Sequence, residues 1–416
     1  MKIAVIGAGI SGLTAAYILN RKHDVTVFEA NDYTGGHTNT IDVQVGGENH
    51  AIDTGFIVFN HRNYPNFTRL LDQLNVDSQS TSMSFSVRCD KAGIEYSGTS
   101  LNTLFAQRVN LMRVRFWKMI GDIIKFNRNA PRLLQGGDAE TSVHEYVQKA
   151  GFGSAFIDNY LVPLGASLWS CPTETFKQFP MRFVVEFLNN HSMLKIGGRP
   201  VWRVIKGGSK QYIGPLTRTF ADRIHVNSPV RSIARSRDRV VINFANGNLQ
   251  TFDHVVIACH SNTALKMLSD PDSCESELLG AFPYQPNEAI LHTDTSVLPS
   301  HKRAWASWNY RASHRSKRVA TVTYNMNMLQ GINSKLTFCV TLNDDSGIDP
   351  AKIIRRIQYH HPVFTVNRRA AQSRHHELIN CNRTSFCGAY WGYGFHEDGV
   401  NSALEVCKSF GMELQS

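Results

Sequence analysis

Three glycines at positions 7, 9 and 12, with an acid at Glu29, are the residues of this chain whose spacing best suits a chemical task. In a Gly-x-Gly-x-x-Gly turn, Gly7 permits a tight reversal, Gly9 lets a diphosphate approach the backbone, and Gly12 lets the following helix pack on the preceding strand. Ile10 and Ser11 lie where the first N–H groups of a helix, at the positive end of its dipole, would face an anion. Glu29, followed by Ala30, is placed to accept hydrogen bonds from ribose hydroxyls, and its charge would repel a 2′-phosphate. A dinucleotide without that phosphate is therefore the expected ligand.

The elements that must position these residues can be read nearby. Residues 2–6 are an apolar run suited to a buried parallel strand, and Leu13, Ala15, Ala16, Ile18 and Leu19 recur at helical spacing. Asp24–Phe28 completes a β-α-β unit. A second sheet-forming region opens at Lys206-Gly207-Gly208-Ser209. It continues through short strands near 224–226, 230–233 and 240–244 and a buried-type strand at His254–Ala258. The alternation around Asn246-Gly247 predicts an antiparallel meander inserted between parallel strands. Between these regions, Ser142-x-x-Glu145 is a capping-box start and Met181–Asn190 an amphipathic helix. Strands are expected at Val319–Tyr324 and Leu336–Leu342, and a helix at Pro350–Tyr359.

At 416 residues, and roughly 150 per domain, the chain suits two or three domains, and 42% hydrophobic content excludes general disorder. The net charge of +10 favours an anionic partner without choosing one. Eight scattered cysteines without a C-x-x-C argue against a disulfide scaffold or zinc module and for a reducing compartment. Nothing approaches the ~18 apolar residues of a membrane span. The apolar start after Lys2 is interrupted by glycines and reads as mature structure, not a signal peptide. His191, His260, His360-His361 and His375-His376 match no metal-ligand spacing, so no metal is expected and most of these read as structural or exposed. The lack of a G-x-S-x-G elbow disfavours a hydrolase.

After Glu29 come Gly35-Gly36-His37-Thr38 and Ile52-Asp53-Thr54-Gly55-Phe56, a second glycine pair that NAD dehydrogenases do not need. In this arrangement the chain resembles the flavoprotein superfamily of amine oxidases, phytoene desaturases and protoporphyrinogen oxidases. The likeness runs nearly end to end, through Gly207-Gly208, Val230, the 255–258 strand with Ala258, and the closing Phe386–Val400 segment with Gly388. It implies noncovalent FAD, since neither Cys259 nor Cys387 matches the cysteine that anchors flavin in some members. It also implies that Gly399 and Val400 start a helix whose dipole faces the flavin ring. His37 replaces the family's arginine, which implies a weaker, pH-dependent diphosphate contact.

The wording of 161–170, Asn190-His191, Gly207-Gly-Ser and Gly394-Phe-His-Glu-Asp-Gly399 resembles a bacterial group associated with cyclopropane-fatty-acid-synthase-type methyltransferases. That narrower resemblance implies a lipid or fatty-acyl substrate and a lipid methyltransferase partner. The expected fold is α/β. A Rossmann-like FAD domain (1–80, 206–285 and 376–416) carries a parallel sheet with an inserted antiparallel meander, and an α+β substrate domain (81–205 and 286–375) completes the chain. The expected reaction is dehydrogenation by hydride transfer to flavin. A flavin amine oxidase and a non-catalytic FAD-binding partner of a methyltransferase are the alternatives.

Tyr390, Trp391, Tyr393 and Phe395 precede the closing helix and are expected to wall the substrate cavity, while His396 is the candidate base. Residues 100–134 carry seven bases against one acid, interleaved with apolar residues. They read either as a basic amphipathic helix on an anionic membrane or as a solvated helix face. No nucleic-acid module accompanies the charge. A cytoplasmic protein, able to sit peripherally on the inner face of the membrane, is the expectation.

Overall fold

The computed structural model describes residues 1–136, 141–169, 171–195, 198, 200–312, 321–344, 346–363, 365 and 368–415. β1 (Lys2–Ile6) is apolar at nearly every position because both its faces are covered. Ile3 and Val5 pack with α1 (Ile10–Leu19) and the closing helix His396–Ser409, while Ala4 and Ile6 pack on the opposite side with Ile233, Val240 and Ile242. β1 lies at the centre of a five-stranded parallel sheet. Its order is Ile224–His225, then β2 (Asp24–Phe28), β1, His254–Ile257 and Thr384–Phe386. Segments from the start, middle and end of the chain thus meet in one sheet, with the phosphate turn at the C-terminal ends of its strands.

The meander forms as expected, but beside the parallel sheet and not within it. Val230–Arg235, Val240–Phe244 and Leu249–Phe252 make a separate three-stranded antiparallel sheet that covers one face of the first. A third small sheet pairs Trp202–Ile205 with Val58–Phe59 and Ser78–Thr81. Trp202–Ile205, expected in the substrate domain, therefore pairs with strands from the first 81 residues.

The largest sheet has seven strands. Their order is Ile353–Pro362, Tyr284–His292, Cys339–Leu342, Thr321–Asn325, Trp308–Ala312, Phe85–Cys89 and Ile94–Ser97. It corrects one expectation: Pro350–Tyr359 is not a helix. Pro350–Lys352 makes a single 3-10 turn and Ile353–Pro362 is a ten-residue edge strand along Tyr284–His292. The apolar spacing at Ile353, Ile354 and Ile357 suggested a helix, but β-branched residues and a half-solvated face suit an edge strand equally, and pairing decided it. The strand expected at 336 begins at Cys339; of the one expected at 319, residues 319 and 320 lie outside the described residues.

Helices cover the other side of this sheet's core. Ser142 and Glu145 form the expected capping box ahead of Val143–Lys149, and Met181–Asn190 is helical. Residues 100–134 are not one helix: Leu101–Leu104, a 3-10 turn at Arg108–Met112, the helix Val114–Asn129 and a 3-10 turn at Ala130–Leu134 succeed one another. Arg113 is extended between the second and third, and Pro131 cannot continue the long helix. Among the described residues no helix is long and apolar enough to cross a membrane.

Candidate flavin site

The turn after β1 is shaped by what its glycines leave out. Gly7 adopts φ +104°, and a Cβ there would stand 2.9 Å from the Ala258 carbonyl oxygen. A Cβ on Gly12 would stand 2.0 Å from the Gly7 oxygen, so α1 can approach β1 this closely only with glycine. Gly9 differs: a Cβ there would meet nothing within 4 Å. Two loops close on the turn. The Gly35 N–H donates to the Ala8 carbonyl at 2.7 Å, Gly36 lies against Gly9, and the Phe56 N–H donates to the His37 carbonyl at 2.7 Å. A Cβ on Gly55 would sit 2.2 Å from that same carbonyl oxygen. Open space above one glycine, beside the unpaired N–H groups of a helix start, fits a diphosphate.

Glu29 is buried and faces the turn. Its carboxylate accepts from the Ala8 N–H at 2.8 Å and from the backbone and side-chain N–H groups of Asn31 at 2.9 and 2.8 Å. Ala30 beyond it is exposed, and Val230 is half-buried at the start of the meander. Next to Phe28 a cavity of about 430 Å³ opens between His225, Pro229, Phe244 and Asn246.

The closing helix begins directly against α1. A Cβ on Gly399 would stand 2.8 Å from Ile10 Cγ2 and 2.9 Å from Ser11 Oγ, and Val400 is fully buried beside it. Two helix N-termini therefore converge, adding their dipoles at one corner. The Gly388 N–H is held by Ser402 Oγ at 2.9 Å. Glu397 accepts from the N–H groups of Asn66 and Phe67 at 3.0 and 2.8 Å and so caps Pro65–Gln73. Asp398 caps its own helix through the Phe395 N–H at 2.9 Å, and burial pushes its carboxyl up to about 6.

His396 sits in the core. Its ring stacks on Phe56 with centroids 3.5 Å apart, and Nε2 lies 2.9 Å from Thr38 Oγ1 and 3.3 Å from the Tyr212 hydroxyl, which is itself bonded to Thr38. Burial, then the nearby His37, holds its imidazole well below the usual range, so the ring is neutral. Thr38 was expected at the cofactor, but Tyr212 was not. Their positions in the sequence give no signal of a meeting 174 residues apart.

The aromatic wall needs correction. Tyr390 and Trp391 are core residues, packed on Phe282 at 5.0 and 5.1 Å, with Trp391 also stacked on His375 at 4.2 Å. Gly388 makes room for the Tyr390 ring, and buried Arg368 fixes the backbone by donating to the carbonyls of Tyr390 and Gly392 at 2.9 Å. Tyr393 and Phe395 instead turn toward the helical block, 5.4 Å from Phe183 and Phe187 respectively. Trp169 packs behind Phe183 and Phe187, at 5.4 and 5.1 Å.

Asp53 ties the second loop to Gly208. It is fully buried and accepts from Thr40 Oγ1 at 2.6 Å, the Ser209 N–H at 2.8 Å, Ser209 Oγ at 2.9 Å and Gln330 Nε2 at 3.1 Å. Burial raises its carboxyl to about 6 despite these bonds. Cys259 and Cys387 are free cysteines, and burial raises both, Cys259 to about 12, which leaves them as unreactive thiols. His37 is drawn toward His260, His360 and His361, which the sequence does not link to it.

A family model described as flavin-containing amine oxidoreductase matches residues 10–328. The 4,4'-diapophytoene desaturase (4,4'-diaponeurosporene-forming) of Staphylococcus aureus (strain Newman) is 55% identical over 42 residues, which are 10% of this chain and 8% of that enzyme. Among solved structures, the CLA-producing fatty acid isomerase from P. acnes superposes with a TM-score of 0.68 at 16% identity, covering 98% of each chain. Cyclohexylamine oxidase from Brevibacterium oxydans IH-35A gives 0.68 at 14% identity, covering 99% of each. At such identities these two likenesses establish the fold alone. The family model, however, spans well over half of the sequence, so the chain belongs to the flavin-containing amine oxidoreductases and is an FAD-dependent oxidoreductase.

Proposed function

We propose that the chain dehydrogenates a lipid or fatty-acyl substrate at an anionic membrane surface. The observation that carries this reading is the outer face of the helical block. Leu101 and Met112 are 76% and 81% exposed, and Val109, Leu111, Val114, Trp117 and Ile124 are exposed with them. Arg108, Arg113, Arg115, Lys118, Lys125, Arg128 and Arg132 interleave with these apolar tips. The one acid of the stretch, Asp122, is half-buried and accepts from the Gly153 N–H at 3.0 Å, so a single negative charge stands against the seven bases. Apolar tips ringed by bases suit a bilayer of negative charge, each base adding about 1 kcal/mol near the surface.

Bound FAD supplies the acceptor for a hydride equivalent from a C–H bond. In this reading Gly7, Gly9, Ile10, Ser11 and Gly12 receive its diphosphate, and Gly36, His37, Thr38, Gly55, Phe56, Ala258 and Gly388 surround it. Glu29 exchanges the Ala8 N–H for the ribose hydroxyls beside Ala30 and Val230. The closing helix begins at His396 and not, as expected, at Gly399, whose N–H donates to the Phe395 carbonyl at 3.1 Å; its positive end, ahead of Gly399 and Val400, is directed toward developing negative charge. Tyr393 and Phe395 help shape an apolar cavity with the helical block. His396, neutral and already engaged by Thr38, suits orientation of that corner better than proton abstraction. The expected domain boundaries, with Trp202–Ile205 moved to the FAD side, and the methyltransferase partnership belong to the same proposal; the sequence resemblance supports the latter.

Anaerobic mixing with extracted membrane phospholipids is expected to bleach the flavin absorbance and shift a lipid product by two hydrogens. Bleaching by amines alone would make the chain an amine oxidase, and no bleaching by either would favour a silent partner. In vesicle sedimentation, binding to phosphatidylglycerol-containing vesicles is expected to exceed that to phosphatidylcholine by at least about tenfold. Met112→Glu with Val114→Glu should abolish it while leaving flavin content intact. Equal binding to both vesicle types would remove the electrostatic part of the reading.

A further inference from the structure

Four histidines from three segments far apart in sequence stand together. His37 stacks on Tyr359 with centroids 4.8 Å apart, and lies 5.2 Å from His361 and 6.4 Å from His260. His260 stacks on Tyr284 at 4.5 Å and lies 6.2 Å from His360. Three elements deliver them: the loop after Gly36, the residues just past His254–Ile257, and the edge strand Ile353–Pro362. Gly36, next to His37, rests against Gly9, and Ala258, two residues before His260, against Gly7, so the backbone carrying two of the rings adjoins the turn that keeps open space at Gly9.

The cluster lacks a counter-charge. Among the described residues the histidine–carboxylate pairs are His50 with Glu48 and His301 with Glu95, and neither involves these four rings. The Asn287 amide accepts from Asn343 at 2.6 Å and lies 2.8 Å from His361 Nδ1 through its nitrogen. Asn287 therefore donates to Nδ1, which leaves the proton of a neutral His361 on Nε2; a further proton would go to Nδ1 and turn the Asn287 amide, with its Asn343 partner, over. His37 Nε2 is buried without a hydrogen-bond partner. No group of three His, Cys, Asp or Glu side chains among the described residues has metal-ligating geometry, so a cation does not explain the cluster. An anion would.

We propose that His37, His260 and His361, with the exposed His360 beside them, form the second half of the diphosphate cradle and take up protons as FAD binds. They would replace the arginine that this chain lacks at position 37. The inference rests on the FAD reading and adds a binding role for histidines outside the glycine fingerprint.

Without an anion, burial first and mutual repulsion second hold His37 down to about 3 and His260 and His361 to about 4. Of the other groups near the cluster, Glu29 and Asp32 are acids, and neither is paired with one of the four rings among the described residues. Burial keeps Tyr33, Tyr284 and Tyr359 protonated and Cys259 a thiol, His396 is neutral, and Glu29 is engaged at Ala8 and Asn31. Arg355, near Tyr33 and Tyr359, adds positive charge, and Asp32, near Tyr33, adds one negative charge. A diphosphate offsets the repulsion and raises these imidazoles in the complex above their values in the apoprotein. By linkage, FAD affinity then grows as pH falls, by up to about tenfold per pH unit for each proton taken up.

The test is a fluorescence titration of apoprotein with FAD between about pH 5.5 and 8.5, a window in which the diphosphate stays fully ionised. Affinity is expected to rise at least about tenfold from the alkaline to the acid end, with proton uptake visible as buffer-dependent binding heat. His37→Gln with His361→Gln should flatten the dependence. His37→Arg should bind at neutral pH at least as tightly as the parent does at the acid end, which guards against a variant that merely misfolds. A parent affinity constant across the range, or a dependence that survives in the double variant, overturns the inference. Failure to bind FAD at any pH would instead overturn the FAD site itself.

Discussion

Gly9→Ala should cost this protein its flavin without costing it stability, whereas Gly12→Ala should cost it both. The contrast follows from where each added carbon would go. At Gly9 a Cβ meets no protein atom within 4 Å, so apoprotein stability should stay within about 0.5 kcal/mol of the parent. The methyl group would occupy the space that a diphosphate needs, and FAD affinity should fall at least about 100-fold, or about 2.7 kcal/mol. At Gly12 the Cβ would stand 2.0 Å from the Gly7 carbonyl and 3.1 Å from Ala258 Cβ. These are backbone and strand atoms that cannot swing aside, so α1 must lift from β1. Overpacking of that kind costs about 1–3 kcal/mol or more, and it also withdraws the helix N–H groups from the ligand. Flavin absorbance of the purified variants and their urea midpoints measure the two effects. Gly9→Ala protein as yellow as the parent would place the diphosphate elsewhere.

The glycine turn was legible as a turn because its residues are local in sequence and Gly7 and Gly12 answer steric demands of the backbone. The strand, helix and acid of one β-α-β unit fall within 30 residues, and β1 reads as buried on both faces because it is. The later parallel strands at 224 and 254 were legible for the same reason. What the sequence hid is what long-range packing decides. Ile353–Pro362 has apolar spacing that either a helix or an edge strand can satisfy, and its partner lies some 70 residues earlier. Tyr390 and Trp391 precede the closing helix, as expected of cavity walls, yet a bend held by Arg368 turns them into the core and leaves Tyr393 and Phe395 facing the helical block. The histidine cluster and the Thr38–Tyr212–His396 node are assembled from pieces that lie 100 or more residues apart, and no spacing rule can report such a meeting.

These hidden contacts share a feature. Each joins the turn around β1 to a segment from elsewhere in the chain: the edge strand through His361, the closing helix through His396, and the Gly207-Gly208 loop through Asp53. The glycine turn defines where an anion can bind, and the distant segments set the polarity around it. A sequence fingerprint thus identifies the cofactor class, while residues outside the fingerprint supply much of the polar surroundings of the turn.

Asp53 gives the strongest test of such a joint. Asp53→Ala would strand the Ser209 N–H and hydroxyl, the Thr40 hydroxyl and the Gln330 amide in a buried site, and loss of more than about 4 kcal/mol should prevent accumulation of folded protein. Asp53→Asn keeps one oxygen for Thr40 and Ser209 but sets a second N–H against Gln330 Nε2, at a cost of about 1–3 kcal/mol. The carboxyl also carries a pH signature. Its pKa is raised by burial from 3.8 to about 6, so between those values the folded state binds more protons than the unfolded one. Stability from this group is therefore greatest below about pH 4, declines as pH rises to about 6 and is level above, by roughly 3 kcal/mol in all. Other buried groups titrate in the same range, Asp398 in the same direction and the depressed histidines in the opposite one, so the parent's own curve does not isolate it. The difference between parent and Asp53→Asn does. Urea unfolding at about pH 4.5, 6 and 7.5 should show the parent's advantage over the variant shrinking mainly between about pH 4.5 and 6, with little further change by about pH 7.5. An advantage that stays constant would mean that Asp53 is ionised throughout, with its four donors holding the charge against burial.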